Sequence, residues 1–165
     1  TNRKLAMYVL SQNSDGHLVV SNDRIKSNLK KWLTKYKGIN DQIEIFDAKI
    51  VNFGINFEIS VDPRYNKEEI VNLAIKNITD RYNSKFYIGE PIYLTEISNV
   101  LSKTKGVNDI VSLEIVNKKN SPYSTTPLDF VKIISKDNTF YKTPKNVALE
   151  LKFPKLDIQG KVKWQ

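Results

Sequence analysis

The chain has 165 residues, of which 40% are hydrophobic and 27% charged, enough for one compact domain that buries roughly 70% of its unfolded surface. It has no cysteine and one histidine, which excludes disulfides, iron–sulfur clusters, thiol nucleophiles and cysteine-based or multi-histidine zinc sites. Its net charge is +8, from 22 lysines and 4 arginines against 18 acidic residues. That lysine-heavy balance, in a chain also rich in asparagine and isoleucine, reads as compositional bias and surface solvation rather than a phosphate-reading patch, which favours the arginine fork.

No run of eighteen apolar residues occurs, and the N-terminus leads into no signal-peptide core, so the expectation is an intracellular, soluble protein without a membrane partner. The first residue is not methionine, which suggests a piece of a longer polypeptide. Residues 1–23 form an entry segment, with Asp15 and Gly16 as a turn between an apolar run at 7–10 and another at 18–20, a hairpin-like pattern.

Over residues 24–36, Ile25, Leu29, Trp32, Leu33 and Tyr36 share one helical face and Lys26, Lys30, Lys31 and Lys35 the other; Gly38 is placed to end this amphipathic helix. An extended stretch at 43–50 leads into 51–62, where Val51, Phe53, Ile55, Phe57, Ile59 and Val61 alternate with polar residues or glycine. This is a half-buried strand of an antiparallel sheet. Asn66 is set to cap a second helix, with Glu69 in the capping-box position and an apolar stripe through Ile70, Ala74 and Ile78. After a crossover at 86–93, Thr95 is the expected cap of a third helix stopped near Gly106, and residues 107–116 alternate again as a strand.

Residues 24–118 therefore read as an α+β body, a small antiparallel sheet with helices packed on one face. Residues 119–127, with Pro122 and Pro127 among small polar residues, read as a linker. The remaining 128–165 read as a flanking β arm: a hairpin from 130–134 through a turn at 136–139 to Phe140 and Tyr141, then a strand over 147–153.

Chemistry has little support. Glu68 and Glu69 suit a helix's first turn, His17 lacks a partner for metal or nucleophile work, and there is no Walker loop or dinucleotide fingerprint. The stretch 52–57 has the aromatic spacing of RNA-recognition strands, but Phe53 and Phe57 share the face of Val51 and Ile59 and so belong to the core. No catalytic, cofactor-binding or metal-binding residue is expected, and the chain is not expected to be an enzyme.

In order along the chain, Asp15, Gly16, His17 and Leu18, then Ile25 to Leu33, then Asp41 to Gly54 form a first set of matched segments. Gly89, Glu90, Pro91 and Ile92 precede the third helix, and Lys105, Gly106 and Val107 precede the last body strand. Glu150, Leu151, Lys152, Pro154, Asp157, Ile158, Gly160 and Val162 then form a closing pattern, Glu-Leu-Lys-x-Pro-x-x-Asp-Ile-x-Gly-x-Val. These segments resemble the C-terminal part of the baseplate wedge subunit of contractile-tailed bacteriophages, a group related to baseplate J-like proteins. The resemblance implies a structural virion protein of the tail baseplate, assembled in the host cytoplasm, that forms a homodimer, contacts other wedge subunits and links into a ring. It implies no catalytic residue and no nucleic-acid partner.

An assembly role calls for apolar anchors, and the arm supplies candidates: Phe130, Ile133, Phe140, Tyr141, Leu149, Leu151, Phe153 and Trp164. The arm could fold back on its own body or reach a second copy. The alternative from another class is a single-stranded nucleic-acid-binding module using the lysine-rich helix.

Overall fold

A computed structural model describes residues 3–38 and 40–163. Its organising element is β5 (Lys49–Val61), whose odd-numbered side chains from Val51 to Val61 are all buried, as their alternation requires. Helices α2 (Lys67–Arg81) and α3 (Leu94–Lys103) cover that face, placing Ile70, Ala74, Ile78, Ile97 and Leu101 against it. Asn66 caps α2 as expected, its side-chain oxygen accepting the N–H groups of Glu68 and Glu69. Helix α3 begins one residue before the expected cap: Tyr93, not Thr95, occupies the N-cap and makes no side-chain cap bond.

β7 (Val107–Lys118) pairs with β5 antiparallel, with register shifts at Glu58/Ile59 and Ser60/Val61. The opposite edge of β5 corrects the antiparallel expectation. There β9 (Val147–Glu150) pairs with Lys49–Asn52, and β10 (Ile158–Val162) with Ile55–Ile59, both parallel to β5, so the sheet is mixed. β9 and β10 lie end to end along one edge, interrupted by the helical turn α5 (Pro154–Asp157). Gly54 permits that excursion, because a Cβ there would lie 2.8 Å from the Asp157 carbonyl oxygen. The C-terminal segment is thus part of the main sheet.

Two further expectations are corrected. Residues 130–134 do not form a strand: α4 (Phe130–Ile133) is a single helical turn, set by Asp129, whose carboxylate accepts the N–H groups of Val131 and Lys132. Across the turn that follows, β8 (Phe140–Tyr141) pairs with β6 (Ile92–Tyr93), and an isolated bridge joins Ile134 to Tyr141. At the N-terminal end, β2 (Ser11–Gln12) and β3 (Leu18–Val19) form a hairpin around the expected turn, but with Ser11–Gln12 rather than the run at 7–10 as its first strand; its loop is held by Asn13 Oδ1, which accepts the N–H groups of Asp15 and His17. The preceding run instead belongs to β1 (Arg3–Val9), which pairs in parallel with β4 (Asp41–Asp47) after a crossover through α1 (Asp23–Thr34). β1 and β4 stand as a separate two-stranded sheet.

Candidate assembly surfaces

The arm residues expected as anchors are largely covered by their own chain. Leu149 is fully buried and Leu151 buried beside it; Phe130 and Tyr141 are buried edge to face, with ring centroids 5.3 Å apart. Ile133 and Phe140 are half-buried, Phe140 against Tyr93 at 5.6 Å, and Phe153 sits half-buried between His17 at 5.3 Å and Tyr123 at 5.7 Å. Trp164 lies outside the described residues. As wet anchors awaiting a partner, the four buried side chains are corrected. They are core residues because β9 and the turn around β8 pack on the body rather than extend from it.

Polar groups fasten this segment down. Glu150 is only 1% exposed, yet its carboxylate accepts the Leu18 N–H (2.7 Å), the Asn52 amide (3.0 Å) and the Lys85 ammonium (3.2 Å). It therefore joins the hairpin, the central strand and the loop after α2 at one point, with its charge met by hydrogen bonds and a counter-ion. Asn52 Oδ1 accepts the Ser124 N–H at 2.7 Å, and the Tyr123 hydroxyl donates to buried Asp157 at 2.5 Å. The Tyr123 phenol is pushed up to about 12, first by that hydrogen bond and then by burial. Tyr123 and Ser124 thus fasten the stretch 119–127 to the body, and Ser124 with Glu150 covers Asn52, which is buried on the nominally polar side of β5.

These groups hold the fold and offer no reacting constellation. The groove between α2 and β10, about 570 Å³, is lined by Lys67, Glu68, Val71, Asn72, Gly160, Lys161 and Val162, with one carboxylate and no hydroxyl or imidazole nucleophile. Among the described residues no group of three or more His, Asp or Glu is placed to hold a metal ion.

The N-terminal unit carries the exposed apolar surface that the expected anchors do not include. Helix α1 buries none of its residues, although it carries the apolar stripe read from its periodicity. Leu29 and Leu33 meet the β1–β4 sheet half-buried, while Ile25 (47% exposed), Trp32 (55%) and Tyr36 (71%) remain wet, with the Trp32 and Tyr36 rings 4.9 Å apart. On the sheet, Leu5 is 43% exposed, and the Tyr8 and Phe46 rings pair at 5.8 Å, both exposed. A two-stranded sheet under one helix is marginal by itself, and a parallel pair normally has both faces covered. The missed signal was the alternation of Leu5, Met7 and Val9, which marks a strand with one apolar face.

No protein-family model matches this sequence, and no curated protein matches it significantly.

Proposed function

We propose that the chain is a structural component of a contractile-tail phage baseplate, an assembly module that pairs with itself and joins wedges into a ring. The observation that carries the reading is the ordered series of wedge-like segments, above all the closing pattern from Glu150 to Val162. The chemistry of that pattern suits a scaffold. Glu150 and Asp157 act as buried hydrogen-bond acceptors, and Gly160 gives the Phe57 ring its room, since a Cβ there would run into it. Such residues specify an edge of a sheet rather than a reaction. The uncovered apolar residues of the N-terminal unit supply what an assembly module needs on its surface.

An antibody raised against the chain, applied to purified contractile-tailed particles and viewed by electron microscopy, tests the reading. Label is expected at the distal end of the tail; label elsewhere on the particle, or on none of it, contradicts the proposal.

One observation favours a second reading. The exposed Trp32 and Tyr36 rings, 4.9 Å apart at the C-terminal end of α1, form a small stacking platform on a helix whose other face carries Lys30, Lys31 and Lys35, a combination that single-stranded nucleic-acid binders use. Oligonucleotide binding that quenches tryptophan fluorescence and weakens steeply with salt would support it; no binding at low salt would remove it.

A further inference from the structure

We propose that two copies of the chain join through the outer edge of β1, antiparallel and centred on Ala6, making a continuous four-stranded sheet of order β4, β1, β1 of the second copy, β4 of the second copy. The inference rests on the reading of the chain as a self-pairing module and adds the surface and register.

Backbone geometry selects the edge. The Arg3 N–H donates to the Asn40 carbonyl and the Ala48 N–H to the Val9 carbonyl, so the odd-numbered residues of β1 direct their backbone groups at β4. Because these directions alternate along a strand, the N–H and C=O groups of Lys4, Ala6 and Tyr8 point to the other edge, beside which no strand lies among the described residues. Centring an antiparallel pair on Ala6 sets Ala6 against its own copy and Lys4 against Tyr8, which uses all of these free groups. On the helix side the same register sets Leu5 against Met7 and Arg3 against Val9, so no like charges face one another. The outer edge of β4 fails that test. Pairing it antiparallel about its centre places Glu44 against Glu44 and Asp41 against Asp47.

Side-chain packing agrees. Lys26 of α1 bonds Asp47 at 2.9 Å, and Asp47 stands opposite Val9, so α1 lies on the face that Leu5, Met7, Ile43 and Ile45 share, seated on β4 and leaving Leu5 of β1 exposed. With Lys26 on the β4 side, the opposite flank of the helix, at about 100° per residue, carries Ile25 and Trp32 over the β1 edge. A two-fold axis normal to the sheet keeps both helices on one face. With α1 seated on β4, the two helices lie about two to three strand spacings apart, roughly 10–14 Å, and Ile25 and Trp32 of each face the gap between them. The exposed Leu5, Ile25, Trp32 and Tyr36 present an area on the order of several hundred Å², against the roughly 800 Å² that a standard interface takes from each partner, the ladder supplying more.

The chain has no cysteine, so single cysteines report proximity cleanly. In the stated register Ala6 lies about 5.5 Å from its own copy, Cα to Cα, within disulfide range. Mild oxidation of Ala6→Cys is expected to give a covalent dimer, whereas Glu44→Cys on the competing edge and Ser14→Cys at the hairpin loop are not. Ala6→Pro removes an N–H that the single chain leaves unused, so far-UV circular dichroism is expected to hold while light scattering shows self-association weakened at least tenfold. If the unmodified chain is dimeric but Ala6→Cys fails to cross-link, or Ala6→Pro stays fully dimeric, this interface is wrong and self-pairing survives. If the unmodified chain is monomeric at all concentrations, both fall. In a Trp164→Phe background, which leaves Trp32 as the single tryptophan, quenching by an added oligonucleotide with no dimer present would assign the Trp32 face to nucleic acid instead.

Discussion

Glu150 is the residue on which most of the chain's separate parts depend. Replacing it with alanine leaves the Leu18 N–H, the Asn52 amide and the Lys85 ammonium without their acceptor. A loss of about 2–4 kcal/mol is expected in urea unfolding, chiefly from the buried Leu18 and Asn52 donors left unpaired, since Lys85 is about a third exposed and regains water. Gly160→Ala forces a methyl group into the Phe57 ring and is expected to cost about 1–3 kcal/mol by the same assay. Titration acts at Asp62, where side-chain hydrogen bonds from Arg64, then the Arg64 backbone N–H, hold the carboxyl down at about 2. A carboxyl whose pKa falls on folding stabilises the fold above its unfolded pKa, near 4, and loses that contribution as pH falls through 2. Glu90 has the opposite sign: burial, then the Glu96 charge, raises its carboxyl, so its contribution is lost as pH rises through the carboxylate range. In melting-temperature profiles Asp62→Asn is therefore expected to flatten the limb between pH 4 and 2, whereas Glu90→Gln is expected to gain stability at neutral pH relative to pH 4.

The elements differ in how far local sequence determines them. α2 was legible because Asn66 and the stripe through Ile70, Ala74 and Ile78 agree, and its cap carries real weight. Asn66→Ala is expected to lose about 1 kcal/mol by thermal or chemical unfolding. β5 was legible from strict alternation over its whole length. The stretch Phe130, Val131, Lys132, Ile133 misled because aromatic and β-branched residues favour strands, whereas the Asp129 cap in front of them closes a helical turn. The parallel placement of β9 and β10 was not legible, because their partner lies about a hundred residues earlier and periodicity carries no information on pairing direction. β1 was missed for a related reason: its alternation was visible, but its partner follows only after a hairpin and a helix.

For the molecule as a whole, the candidate anchors and the uncovered surface changed places. Residues near the C-terminus resembled an arm because prolines and small polar residues precede them, yet Ser124 and Tyr123 fasten that stretch to Asn52 and Asp157, and the strands beyond it complete the sheet. Helix α1 has the periodicity of an amphipathic helix, but only part of its apolar stripe finds a surface to cover. Its lysines leave the stripe clear, so the charge of +8 and an apolar contact can share one helix. The central claim, that the chain is a self-pairing assembly module, is met most directly by light scattering on the purified chain over a concentration series. A mass rising from 19.0 kDa to twice that value with increasing concentration is the expected result. A mass fixed at 19.0 kDa up to the highest soluble concentration would contradict it.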